Sequence, residues 1–184
     1  MGPRAKLLGL AALFALPIAA SIVAYNVVEP ANTSNFGELL LPPSTITSQP
    51  LERQGGGEFR FAGLAGRWVL VASDSGACPA ACRDKLATLR QVRLALGRNA
   101  ARVERVFVVD DLQALDPALA AEFAGTHAVR TPRGLAIPAG AANDRAHVYL
   151  VDPRGNVMMR WPAGADRKRM LGDLQRLLKA SQIG

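Results

Sequence analysis

Two apolar runs constrain this chain more than any other feature. Trp68–Ala72 is continuously apolar, and Val103–Val109 is interrupted only by Glu104 and Arg105. Neither alternates, as a strand with one wet face would, so both read as central strands buried on two faces. Between them, from Pro79 to about Gly97, the period changes. Leu86, Leu89, Val92 or Arg93, and Leu96 recur at three or four residues, and Gly97 is a natural stop. A buried strand, a helix and a second buried strand make a crossover unit, which belongs to an α/β sheet.

The flanking sequence extends that unit. Phe59 and Phe61 alternate before a turn at Gly63–Gly66. "DPALAAEFAG" offers Asp116 as cap, Pro117 at the first helical position and Gly125 as stop, so it predicts a short helix. Residues 126–146 read as loop. "HVYLVDPRGNVMMRW" reads as a hairpin around Asp-Pro-Arg-Gly, and Asp166 caps a last helix with Met170, Leu174, Leu177 and Leu178 as its apolar stripe. The order β-(β)-α-β-α-β-β-α describes an α/β, thioredoxin-like sandwich, a central mixed sheet flanked by helices, over residues 58–184.

The N-terminal part is different in kind. Leu7–Val28 is a run of 22 residues without a charge, with Ser21 and Asn26 its only strongly polar members. As a helix it rises about 33 Å, enough to cross a bilayer core, and membrane helices tolerate a residue such as Pro17. A cleaved signal peptide with a site near "IAASIVA" is the rival, but its apolar core is usually shorter. Arg4 and Lys6 precede the run and Glu29 follows it, so the positive-inside rule orients it. The expected organisation is residues 1–6 in the cytoplasm, 7–28 as a transmembrane helix, 29–57 as a linker, and 58–184 as the exported domain. Within the linker, "GELLLPP" is expected to dock on that domain. The net charge is +7, but the arginines are scattered and aromatics are 5%. That argues against nucleic acid and for a basic face near anionic headgroups.

Both cysteines lie in "DSGACPAACRDKL", directly after the first buried strand. Pro79 suits a first helical position, which makes Cys78 the expected N-cap, the more exposed of the two, and puts Cys82 one turn in. A helix start stabilises a thiolate; Arg83 and Lys85 add to that and Asp84 partly cancels it. Cα atoms four apart on a helix are about 6 Å apart, within disulfide reach. The pair can therefore open and close, as redox work or metal capture requires. As a staple it closes too small a loop to stabilise much. Structural zinc wants four ligands, whereas copper(I) accepts two or three and prefers thiolates.

With "LAGRWVLV" before the cysteines, "CPAAC" as CxxxC and "HVYLVDPRGNVMMRW" before a final helix, residues 59–184 and the anchor resemble the Sco/SenC family. "NFGELLLPP" and "RQVRLALGRNAARVERVFV" resemble a branch of Sco-like proteins from bacterial oxidase gene neighbourhoods. The resemblance implies a single-pass protein of the bacterial inner membrane, its C-terminal domain in the periplasm, acting in cytochrome c oxidase assembly. It implies copper held by Cys78, Cys82 and a distant histidine, delivered to the binuclear copper centre of oxidase subunit II, or reduction of that subunit's cysteines. Subunit II, another oxidase assembly factor and the membrane are the implied partners.

The histidine does not carry over. The family's position is Asp144, in "NDRAHVYLVD"; His147 lies two residues before Tyr149 and is expected on Tyr149's face of the strand. His127 in the loop, and Met158 and Met159 on alternate faces, are the other candidate ligands. Asp144 is a hard oxygen ligand, better suited to taking a thiol proton. The cis-proline that thioredoxin-like oxidoreductases place before this strand is also missing: "NDRA" stands there and Pro138 is upstream. The missing histidine moves weight toward thiol–disulfide exchange, with Cys78 as the attacking thiolate and Cys82 resolving. The missing cis-proline is a departure from the oxidoreductase pattern, so the chain departs from both patterns at the same spot. The rival is a non-catalytic module that docks on respiratory-complex subunits, its cysteine pair vestigial or structural. A peroxidase would want a threonine that "DSGAC" lacks.

Overall fold

In the computed structural model, residues 2–27, 35–131 and 145–181 are described, with side chains on the first helix at 2–4 and 9–24. The chain forms two units, Met1–Ser34 and Asn35–Gly184. The first holds one helix, α1 (Pro3–Val27), with Pro17 inside it and exposed side chains over 9–24. The expected membrane span at 7–28 extends beyond that stretch. Among the described residues no helix is long and apolar enough to cross a membrane.

In the second unit the strands are β1 (Glu38–Thr45), β2 (Leu51–Arg53), β3 (Glu58–Phe59), β4 (Trp68–Asp74), β5 (Val103–Val109), β6 (His127–Arg130), β7 (His147–Val151) and β8 (Asn156–Pro162). They make one sheet in the order β1-β8-β7-β4-β5-β6-β2-β3. β4, β5 and β6 run parallel; β7, β8 and β1 add antiparallel on one side, β2 and β3 on the other. The helices are α2 (Ala80–Ala95), α3 (Pro117–Glu122) and α4 (Arg167–Ala180).

Strands β4 and β5 are the two apolar runs, and they pair from Trp68 opposite Val103 to Asp74 opposite Val109. Alternate side chains enter two cores. Trp68, Leu70, Ala72, Phe107, Val109, Val148, Leu150 and Met159 pack with Leu86, Leu89 and Val92 of α2, Leu119 of α3, and Met170, Leu174 and Leu178 of α4. Val69, Val71, Val106, Val108, Val129, Tyr149 and Val151 pack with Leu40, Ile46, Phe59, Phe61 and Leu64. Each fully buried aliphatic side chain contributes about 1.5–3 kcal/mol.

Two expectations are corrected here. Residues 29–57 are not a plain linker: they supply β1 and β2, and β1 is a sheet edge. Pro42 and Pro43 hide β1 from sequence patterning, yet an edge strand tolerates them because one side of its ladder has no partner. The ladder to β8 shifts register between Leu39 and Ser44, around those prolines. Likewise residues 127–130, expected as loop, form β6; four residues are too few to show a period.

The start of this unit is clamped to its last helix. Asp173 on α4 is fully buried and accepts hydrogen bonds from Phe36 N (3.0 Å), Gly37 N (2.8 Å) and Trp161 Nε1 (2.9 Å), and it pairs with Arg176. A Cβ at residue 37 would stand 2.5 Å from Trp161 Nε1, so glycine is required there. Phe36 lies under the Arg169 guanidinium, 3.7 Å from ring centre to Cζ. Burial raises the Asp173 carboxyl, but these donors outweigh it and hold it below the ordinary carboxylate range.

Candidate redox and copper site

Cys78 and Cys82 are joined as a disulfide with Cα atoms 5.0 Å apart, where β4 hands over to α2. The helix begins one residue later than expected: Pro79 is the N-cap and Ala80 the first helical residue. Cys78 stands just before the cap with φ of 42°, left-handed backbone that few side chains adopt. This corrects the expectation of an exposed Cys78. It is 3% exposed and Cys82 0%, and both belong to the helix-side core. The exposed residues around them are Ala77, Pro79, Ala80 and Ala81.

The loop that carries Cys78 is held by its neighbours. Ser75 N donates to Asp74 Oδ1 (2.8 Å), Gly76 N to Asp111 Oδ1 (3.0 Å), Ala77 N to Ser75 Oγ (3.1 Å), and Cys78 N to Ser75 O (3.1 Å). Gly76 passes so close to the Gln113 carbonyl that a Cβ would stand 2.0 Å from its oxygen. The 74–78 loop is therefore tied to the loop after β5, and Asp111 anchors both. Burial raises the Asp111 carboxyl, yet hydrogen bonds from Ser75, Gly76 and Gln113 and the charge of Arg145 keep it below its ordinary range.

Beside the disulfide lies an ionic cluster that sequence reasoning missed. Lys85, one turn after Cys82, is 1% exposed. Its Nζ meets Asp74 Oδ2 at 2.5 Å and donates to Ser73 O (2.6 Å) and Arg145 O (2.9 Å). Arg145 in turn donates to Asp110 from Nε (3.0 Å) and Nη2 (2.5 Å), with Asp111 at 3.6 Å and Asp74 at 3.9 Å. The Asp110 carboxylate in particular holds the Arg145 guanidinium protonated beyond its ordinary range. Lys85 was expected to add its charge to the stabilisation of a thiolate; it is buried and paired with Asp74. The signal was available, because Lys85 falls on the Cys82–Leu86–Leu89 stripe of its helix. Of the helix-start charges, Arg83 is exposed and Asp84 pairs with Arg167 at 2.5 Å.

The histidines lie elsewhere. His147 opens β7 and its ring centre lies 6.1 Å from that of Tyr149, the planes inclined at 56°; Tyr149 belongs to the core on the face away from the cysteines. Its neighbour Val148 belongs to the cysteine side. His127 is the first residue of β6, not a loop residue. It packs on Phe59 (5.6 Å) and lies 3.4 Å from Arg53 Nη1 and 3.6 Å from Glu104. Burial is the main reason its imidazole is held below the ordinary range. Met159 is fully buried in the cysteine-side core and Met158 is partly buried. Asp144 and Pro138 lie outside the described residues. Among the described residues no three His, Cys, Asp or Glu side chains group as a metal site.

The geometry thus offers a disulfide packed against a charged cluster, which two thiols acting in turn, through a mixed disulfide, would reduce by two electrons once a sulfur is reached. Once reduced, it presents two sulfurs, a donor set that suits linear copper(I).

Comparison with known proteins places this arrangement. The fold matches copper-bound yeast Sco1 with a TM-score of 0.61 at 20% identity, covering 76% of this chain and 95% of that one. It matches apo Sco1 from Thermus thermophilus at 0.60 and 19% identity, covering 81% and 99%. A third match, BsSco, described in terms of a disulfide switch in a member of the Sco family of cytochrome c oxidase assembly proteins, has a TM-score of 0.57 at 14% identity and covers 77% and 99%. No curated protein matches the chain. The fold is therefore the thioredoxin-like fold of Sco proteins. Residues 68–181, from the first buried strand to the end of the last helix, match the family described as transmembrane-like, thioredoxin-like, C-terminal domain, and the chain belongs to that family.

Proposed function

We propose that this chain is a membrane-anchored, Sco-like assembly factor for cytochrome c oxidase that works chiefly by thiol–disulfide exchange through Cys78 and Cys82. The reduced Cys78 thiolate attacks a disulfide of the partner, releasing one partner thiolate and forming a mixed disulfide. Cys82 then attacks the Cys78 sulfur, freeing the second partner thiol and leaving the closed pair. Two electrons pass to the partner, which on this reading is the copper-site cysteine pair of oxidase subunit II. The observation that supports exchange over stable copper storage is the placement of the histidines: both are on strand faces turned away from the sulfurs. Copper(I) remains a candidate cargo of the reduced pair, bound by two thiolates. α1 serves as the inner-membrane anchor, and the charge asymmetry around 7–28 puts the domain in the periplasm.

The second reading, a docking module with a structural disulfide, is favoured by one observation, the burial of both sulfurs. One experiment separates the two. The reduced Cys82→Ser variant is mixed with an oxidised peptide carrying two cysteines at copper-site spacing. Exchange predicts a mixed disulfide through Cys78 that accumulates and is visible by mass spectrometry. No adduct, together with a wild-type disulfide that resists dithiothreitol in the folded protein, means the docking module instead. A C-terminal reporter active only in the cytoplasm refutes the proposed topology.

A further inference from the structure

The helix-side face of β5 carries a buried charge with no salt-bridge partner among the described residues. Arg105 is 4% exposed. Its Nη2 donates to Ala124 O at 2.9 Å, but its Nε and Nη1 have no hydrogen-bond partner. A buried guanidinium with unmade hydrogen bonds is costly, because the desolvated donors gain nothing in return. It is not alone. Arg90 Nη1 reaches Glu122 O (3.3 Å), two residues from the carbonyl that Arg105 uses, and Arg93 Nε donates to Val103 O (2.6 Å), two residues before Arg105 on the same strand face. Thr126, just before the His127 that pairs with Val106, adds a buried hydroxyl with no partner.

Each of the three arginines is thus anchored through one nitrogen to a backbone carbonyl. None has a carboxylate within salt-bridge distance among the described residues. Like charges held together oppose one another: burial first, then the charges of Arg93 and Arg90, hold Arg105 below the ordinary guanidinium range, and the Glu104 carboxylate next to it in sequence offsets this only in part. The fold brings three guanidiniums to one corner with no carboxylate in salt-bridge distance among the described residues. Arg90 and Arg93 are the groups an incoming anion meets, while the spare Nε and Nη1 of Arg105 are shut off from solvent and become donors only if that side chain shifts. Arg90 is exposed and Arg93 half-buried, so the site opens on the α2 side.

We propose that Arg90, Arg93 and Arg105 form a binding site for a phosphate-type oxyanion, at the corner where α2 and α3 meet β5. Phosphate fits better than carboxylate. Its oxygens accept donors from several directions and it carries up to two charges, whereas a carboxylate accepts in one plane and carries one. The site is separate from the disulfide and independent of what the disulfide does.

The test uses the full chain in a neutral detergent, titrated with inorganic phosphate at fixed ionic strength against chloride. The Arg105 Nε–H resonance and the melting temperature are the two readouts. The site predicts a saturable shift of the Arg105 resonance and a melting temperature raised by phosphate but not by chloride. R105M is expected to abolish the phosphate effect, and the surface double variant R90Q/R93Q, which leaves the buried group in place, is expected to weaken phosphate at least tenfold. A parallel titration with glycerophosphoglycerol distinguishes the source. Binding tighter than inorganic phosphate assigns a lipid headgroup, and weaker binding a free phosphate. If phosphate acts no differently from chloride, or if R90Q/R93Q binds it as wild type does, the proposal is overturned and Arg105 is a buried charge satisfied by water.

Discussion

The two faces of the central sheet carry the same kinds of side chain under different physical terms. On the helix side, Lys85, Asp74 and the disulfide sit inside the core, with Lys85 and the sulfurs 3% exposed or less. On the other side, His127 and Glu104 meet at 3.6 Å with Arg53 and Arg67 nearby, and the His127 side chain is 30% exposed. Charges on the first face have left water and depend on each other. Charges on the second keep part of their hydration. The comparison teaches that strand parity turns both histidines to the face opposite the one on which the 74–78 loop and α2 set the two sulfurs, a one-residue parity that side-chain rotation alone does not undo.

The largest effect should come from breaking the buried pair. Lys85→Met leaves the Asp74 carboxylate in the core without its ammonium, and unfolding by urea should show a loss of about 3–5 kcal/mol. A loss below about 1 kcal/mol would mean that water reaches Asp74 and that the two faces do not differ. Asp173→Asn comes next. It removes a charged acceptor of three neutral donors, and about 2 kcal/mol should be lost at neutral pH. Its pH dependence has a definite sign. The folded carboxyl is held below 3.8, so its contribution is complete above that value and fades as pH falls through the folded value. The wild-type urea midpoint should therefore drop on acidification below about pH 4, and that portion should be missing in Asp173→Asn.

These effects were unevenly legible in the sequence. Val103–Val109 could be bounded to the residue because a doubly buried strand shows as an apolar run, and Asp116 and Asp166 announced helix starts they do cap. β1 could not be read, because its two prolines argue against a strand and only its edge position excuses them. Asp173 was invisible for another reason. Its donors are the amides of Phe36 and Gly37, more than a hundred residues away, and nothing local in "MLGDLQRLL" marks an aspartate that faces inward. At the cysteines, the strand-to-helix placement was readable. Burial was not, since it depends on the loop after β5 that packs against Gly76.

On the solvated face the expected changes are smaller. Burial holds the His127 imidazole below 6.5, so its neutral form contributes stability that is complete above that pH and is lost as pH falls through the folded value. His127→Gln should flatten the pH dependence below 6.5, with less than about 1 kcal/mol at stake for a partly exposed group. The smallest effect belongs to His147→Ala. Because its ring shares Tyr149's face, copper(I) affinity of the reduced protein should change less than about threefold, against the tenfold that 1.4 kcal/mol of lost ligation would give. A larger loss, or a tight copper(II) complex that this substitution abolishes, would show that the histidine crosses to the sulfurs.

The clamp at Phe36 and Gly37 also has a mechanical meaning. A pull on the chain at Asn35 would not first unravel β1. It would load the two amide bonds to Asp173 and the Phe36–Arg169 contact, which feed the force into α4. Only when those yield would the pull reach the ladder that joins Glu38 and Leu39 to Arg160 and Met159. The domain therefore takes up tension at its last helix and the indole of Trp161, on the far side of the chain from the cysteine loop in sequence. In a pulling experiment, Asp173→Asn should lower the force of the first rupture and leave the later ones in place.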